Sequence, residues 1–251
     1  MPNCTACGAE VAPEANFCEH CGEKINEEES TTQGEKDPST GPLFEVPIRQ
    51  YFRTGWDTFL QYPMGFAGFS LIIILLFTMF LILQKKVPII GFLFEAAISP
   101  LQVGIYIVSA KLLQRQTCLF SDFFSGFHYF KPLIIFGLIY GILGVIGDSL
   151  RSHAIPSLLV HLASLAYGVV FLFTPMLIAD RRLSLWEAME LSLKTVRRRP
   201  FKILGFVFLG GLLVVAGAIA LGIGVLVTLP LFSAAITAAY ADIFGLQSKE
   251  Y

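Results

Sequence analysis

The chain has 251 residues, 55% of them hydrophobic and only 15% charged, with a mean hydropathy of +0.67. Soluble domains carry about 25% charged residues, so this balance excludes an ordinary water-soluble globule and points to a chain embedded in lipid. The formal net charge of -1 says little about partners, because the charges are concentrated outside long apolar runs.

Met1 is followed by a polar, cysteine-bearing segment, with no basic stretch leading into an apolar one. A secretory signal is therefore not expected, and the N-terminus is expected in the cytosol. Four of the five cysteines fall within the first 21 residues. In a reducing compartment such a cluster is read as a metal site and not as a disulfide framework. The spacing is Cys4-Thr-Ala-Cys7-Gly8, ten residues, then Cys18-Glu-His-Cys21-Gly22. Two thiolates three positions apart reach one metal from a tight turn, and the glycine that follows lets the backbone take positive φ.

Cys4, Cys7, Cys18 and Cys21 thus form a closed tetrahedral sulfur set for a structural zinc ion, with no position left open for a catalytic water. Redox-active dithiols or an iron site are the alternatives for the same spacing. Val11, Phe17 and Ile25 are too few to make a core. Folding must come from metal binding, worth on the order of 10–16 kcal/mol in zinc peptides. His20 is read as a solvated side chain, since four sulfurs saturate zinc. With Pro13 in the loop and Phe17 before Cys18, residues 1–25 resemble the short zinc-ribbon modules at the N-termini of many bacterial proteins. The resemblance implies a structural or protein-interaction role. Glu10, Glu14, Glu19 and Glu23 against Lys24 would repel phosphate, so no nucleic acid is expected as a partner.

Residues 26–46, NEEESTTQGEKDPSTGPLFEV, are acidic and rich in Ser, Thr, Gly and Pro. They read as a disordered tether, with a root-mean-square span of roughly 25 Å for about 20 flexible residues.

Residues 47–251 are expected to form an all-α polytopic membrane bundle. Met64–Leu83 is an uncharged run long enough to cross a hydrocarbon core of about 30 Å. Val87–Leu113 follows, interrupted by Glu95; Pro132–Gly147 and Pro156–Ala179 are further candidates. The 39 residues Ile203–Ala241 carry no charge. As one helix they would be about 58 Å long, so they must fold back, and Gly222-Ile-Gly224 is the best turn. Six spans result.

Thirteen Lys and Arg fall on one side of these spans, against Lys85, Lys86 and Arg151 on the other. The positive-inside rule then places both termini in the cytosol of a cell whose inner membrane holds the bundle. A threefold repeat is also expected. Tyr62-Pro63, Lys131-Pro132 and Arg199-Pro200 introduce the odd spans, and Pro100, Pro175 and Pro230 kink the even ones. Before each odd span lies an amphipathic stretch: Ile48 to Leu60, Phe120 to Phe130, and Leu185 to Val196. Their apolar residues recur every three or four positions, as in helices lying at the membrane interface.

Thr174-Pro175-Met-Leu-Ile-Ala-Asp180, Ser184-Leu-Trp-Glu-Ala188 with Ser192, and Pro230 with Ala238-Ala-Tyr240-Ala-Asp242 resemble a broad set of bacterial six-span membrane proteins. That resemblance supports topology and carries no activity.

Ionisable groups within spans are functional suspects because burial in hydrocarbon is costly. Glu95, His161 at similar depth, and Asp148 on the same side are candidates for an intramembrane proton or cation site; the bland alternative puts Glu95 near the interface, bonded to a neighbour. Asp180 and Asp242, beside Arg181 and Tyr240, read as structural partners of the basic belt. Arg197-Arg198-Arg199 suits anionic headgroups. No nucleophile-base arrangement, phosphate-cradling loop or open metal site is evident, so no enzyme activity is expected. The leading expectation is a membrane module whose ribbon recruits a cytosolic protein. A small-solute or ion transporter is the alternative, and homo-oligomerisation is left open.

Overall fold

The computed structural model describes residues 44–84, 89–150, 152–219 and 222–247, without the side chains of 80, 81, 83, 84, 89–97 and 148. Every regular element among them is helical. In chain order these are α1 (Ile48–Gln61), α2 (Pro63–Gln84), α3 (Ile89–Leu113), a 3-10 helix (Phe120–Tyr129), α4 (Phe130–Ser149), α5 (Ala154–Val170), α6 (Thr174–Arg181), α7 (Leu185–Arg198), α8 (Pro200–Ile219) and α9 (Val225–Phe244). The ribbon residues lie outside the described part.

Among the described residues, four segments are long and apolar enough to cross a membrane: Phe120–Gly147, Ala154–Arg181, Pro200–Ile219 and Val225–Phe244. A fifth is reached if Ile48–Gln61 and Pro63–Met79, which meet at 98°, are counted as one broken span. The part of α3 described with its side chains, Ile98–Leu113, is a shorter apolar helix, so six spans are not reached among the described residues.

The elements follow local chemistry. Pro63 and Pro200 open α2 and α8, where a missing N–H costs nothing and φ is already helical. Before α7, Ser184 and Glu187 form a reciprocal cap. The Ser184 backbone N–H and hydroxyl donate to Glu187 Oε2 at 3.0 and 2.7 Å, and the Glu187 N–H returns a long bond to Ser184 Oγ. These bonds hold the exposed Glu187 carboxyl below its usual range. Between α5 and α6 the helix breaks at Phe171–Phe173, and Pro175 then sits in the first turn of α6. Pro100 and Pro230 lie inside α3 and α9 without ending them. The reversal between α8 and α9 falls at the expected place, with Gly222 at φ +74°.

The second amphipathic stretch differs in kind from the other two. Phe120–Tyr129 winds as a 3-10 helix and not an α-helix. Its backbone lies so close to α3 that a Cβ on Gly104 would overlap the Phe123 carbonyl, and one on Gly126 would overlap the Pro100 carbonyl. Gly104 and Gly126, each facing a backbone carbonyl of the other element, permit this approach.

α9 is central. Half or more of its apolar window is buried, against about a fifth for α8, whose Phe208, Leu209, Leu212 and Val215 face outward. One core gathers Tyr51, Ile107, Phe173, Leu177, Ala188, Phe206 and Tyr240 around α9. A second, richer in stacked rings, gathers Phe59, Phe66, Phe69, Ile105 and Phe123 around α2 and α3. The Phe69 and Phe123 rings stack with centroids 4.6 Å apart. Outside both cores, Leu158, Leu159, Leu162 and Leu165 of α5 are exposed. Such a surface is stable against hydrocarbon and unstable against water.

Candidate functional site

Three places carry polar chemistry: the basic end of the bundle, the opposite end near His161, and a crevice between α3, α4 and α5.

At the basic end, the last turn of α6 holds Asp180, which is 5% exposed. Its carboxylate accepts the Tyr240 hydroxyl at 2.9 Å and the Gln247 backbone N–H at 3.1 Å. The next residue, Arg181, donates from Nη2 to the Phe244 carbonyl at 2.7 Å and lays its guanidinium over the Phe244 ring. Asp242 accepts the Tyr51 hydroxyl at 2.7 Å. Burial, and the Asp242 carboxylate beside it, push the Tyr51 phenol well above its ordinary range. Arg199 Nε reaches the Phe44 carbonyl at 3.2 Å, and Ser192 Oγ donates to the Val170 carbonyl at 2.9 Å. The bonds tie α1, α6, α7 and α9 and the chain on either side of them into one clasp. The sequence reading made Asp180 and Asp242 partners of the basic belt; the groups that hold them include two tyrosine hydroxyls and a backbone N–H.

Cys118 sits between α3 and the 3-10 helix, its Sγ 3.8 Å from the Val108 and Gln116 carbonyls. Burial pushes its thiol up, the nearby Asp122 carboxylate adds to this, and Lys111 offsets part of it. Lys111 Nζ is itself 3.1 Å from Asp122 Oδ1.

At the opposite end, His161 is exposed on α5, with Nδ1 2.7 Å from the Ser157 carbonyl one turn earlier. Its ring leans on the α4 backbone: a Cβ on Gly147 would be 3.1 Å from His161 Cε1. Gly147 immediately precedes Asp148, so α5 presents His161 next to that part of α4. Glu95 lies in the first half of α3, and the side chains of Glu95 and Asp148 are outside the described residues. Among the described residues no group of three or more His, Cys, Asp or Glu could hold a metal ion. Cys4, Cys7, Cys18 and Cys21, the expected zinc ligands, also lie outside them.

The crevice was not foreseen. Ser99, Gln102 and Tyr106 line it from α3, Tyr140 from α4 and Tyr167 from α5, where the Tyr167 hydroxyl donates to the Phe136 carbonyl at 3.2 Å. A signal was present in the sequence: Ser99, Gln102 and Tyr106 are spaced i, i+3, i+7, a polar stripe on one face of an otherwise apolar helix.

Residues 3–25 match the zinc-ribbon domain family. The match takes in all four cysteines and agrees with the ribbon read from their spacing. Zinc-ribbon domains bind zinc structurally. Neither the curated proteins nor the solved structures give a match. The chain therefore carries an N-terminal zinc-ribbon domain followed by apolar helices compatible with a multi-pass membrane protein.

Proposed function

We propose that this chain is a non-enzymatic integral membrane protein in which a cytosolic zinc ribbon recruits a protein partner to a six-span helical anchor. The observation that carries this reading is the fusion of a zinc-ribbon domain at residues 3–25 to a bundle whose outer surface is apolar. Zinc ribbons serve both nucleic-acid and protein binding. Four glutamates against one lysine within residues 1–25 favour the protein.

The six-span count is supported by the lengths of α2 and α3, 22 and 25 residues, which suit a crossing of about 20. It is supported too by element order. An amphipathic helix, a helix with proline in its first turn, and a proline-bearing helix or helix pair occur three times in succession. In this arrangement α1, the 3-10 helix and α7 lie in the cytosolic interface, with Trp56 and Trp186 exposed toward headgroups. The basic end faces the cytosol, with Arg197 exposed to anionic lipid.

The test is affinity capture with the full chain, with residues 1–25 deleted, and with Cys18→Ser. The proposal expects one set of proteins retained by the full chain and lost from both variants, with no enrichment of nucleic acid. Identical protein sets, or nuclease-sensitive capture, would overturn it.

A small-solute or ion transporter is the second reading. It is favoured by the helix break at Phe171–Phe173, beside the crevice between α3, α4 and α5. On that reading Glu95, His161 and Asp148 contribute to the route. Proteoliposome flux that survives Glu95→Gln and His161→Ala would remove them from it.

A further inference from the structure

The crevice between α3, α4 and the break after α5 has a volume of about 250 Å³ and is half open to the outside of the bundle. Its described lining is polar without being charged. Ser99, Gln102, Tyr106, Tyr140 and Tyr167 line it among aromatic and aliphatic groups, and among the described residues no acidic, basic or histidine side chain does. Tyr167 is engaged with the Phe136 carbonyl. Gln102 is exposed, and neither its amide nor the Tyr106 hydroxyl makes a hydrogen bond among the described residues.

Position matters. Gln102 precedes the end of α3 at Leu113 by eleven residues, so it lies about 16 Å along the helix from the basic end, near the middle of a hydrocarbon core. An amide left without a partner at that depth is strongly unfavourable, because the bilayer interior offers no water to satisfy it.

We propose that this crevice binds an uncharged amphiphile of the diacylglycerol class, its hydroxyl and ester oxygens hydrogen-bonded to Gln102 and Tyr106. A phosphate headgroup is disfavoured twice, by depth and by the lack of a cation among the described lining residues. The volume falls just under the roughly 300 Å³ at which pockets for whole drug-sized ligands begin. It accommodates a glycerol headgroup while the acyl chains leave through the open side into the bilayer. The proposal rests on the membrane reading of the bundle and is independent of what the ribbon recruits.

The structure supplies a clean variant. A Cβ on Gly168, which lines the crevice, meets no atom within 4 Å, so Gly168→Leu has room at its first carbon and is expected to occupy the crevice. Gly211 on α8 is equally open and lies outside the crevice, so Gly211→Leu is its control. The full chain in phosphatidylcholine vesicles is exposed to a diacylglycerol carrying a photoactivatable diazirine, and labelled peptides are mapped by mass spectrometry.

Labelling is expected on α3, α4 and α5 around the crevice. It should fall about tenfold in Gly168→Leu and stay unchanged in Gly211→Leu. Gln102→Leu and Tyr106→Phe each remove one hydrogen bond and should lower it about three- to tenfold. Unlabelled diacylglycerol should compete at least tenfold better than phosphatidate or the hydroxyl-blocked methyl ether. Labelling elsewhere, equal labelling of the two leucine variants, or equal competition by phosphatidate would overturn the proposal. If Gln102→Leu fails to fold, the Gly168→Leu comparison still decides.

Discussion

Tyr240→Phe removes a single oxygen from the centre of the clasp and leaves the ring in place. Tyr240 is fully buried, and its hydroxyl donates to Asp180 at 2.9 Å. The ring stays stacked on Phe244, with centroids 4.9 Å apart, so no cavity opens. A hydrogen bond to a charged acceptor contributes about 1.5–3 kcal/mol net. For a domain of about 150–250 residues, 1 kcal/mol moves the midpoint by about 2–4 °C, so a fall of about 3–12 °C is expected. Thermal unfolding of the purified chain in mild detergent, followed by circular dichroism, measures it. Asp180 has further partners, including the Gln247 N–H at 3.1 Å, so Asp180→Ala alone should cost more than Tyr240→Phe. The double variant should cost less than the sum of the two, with a coupling of about 1.5–3 kcal/mol. Additive effects within about 0.5 kcal/mol would refute the clasp as the link between α6 and α9.

The purified chain is expected to hold one Zn(II) per molecule by elemental analysis. Cys18→Ser should lower that content, and with residues 26–46 read from the sequence as a flexible tether, the helical midpoint should shift by less than about 2 °C. Gly55→Ala places a methyl group 2.8 Å from the Ala235 N and the Leu231 carbonyl oxygen, backbone atoms of α9 that have nowhere to go. It should destabilise the bundle by about 1–3 kcal/mol in the same unfolding assay. Cys118, with its thiol pushed up by burial and then by Asp122, holds less thiolate than a free cysteine at neutral pH. Its maleimide reaction should be slower, with an inflection displaced to higher pH. Asp122→Asn should move that inflection down, leaving Lys111 to favour the thiolate.

The apolar lengths made most helices legible. Pro63 and Pro200 mark the starts of α2 and α8, Ser184 with Glu187 marks the start of α7, and the 39-residue run forced the reversal found at Gly222. The zinc ribbon was legible because cysteine spacing is itself metal geometry. What lay hidden depends on tertiary contact. Tyr51 and Asp242 are 191 positions apart, and nothing local says that the face of α1 bearing Tyr51 meets the end of α9. The 3-10 winding of Phe120–Tyr129 is similar: phenylalanines every three or four positions suit either helix, and the close approach of Gly126 to α3 goes with the tighter one. In the crevice the α3 stripe was visible, but its tyrosine partners come from two other helices. Glu95, the strongest single suspect in the sequence, has its backbone in α3 and its side chain outside the described residues.

The account stands on six alternating crossings with the ribbon and the C-terminus on one side, and accessibility to an impermeant maleimide tests this most directly. One cysteine replaces Val87, Ser152 or Ile223, and in a second set Gln116, Ser184 or Gln247, all in a Cys118→Ser chain expressed in intact cells. The labelled site is read by peptide mass spectrometry, because the four ribbon cysteines remain. The first set should label from outside, and the second only after permeabilisation. Labelling of Ile223 and Gln247 from the same side would contradict the fold-back of the last apolar run. Labelling of Val87 only after permeabilisation would remove the first hairpin, and with it the six-span anchor.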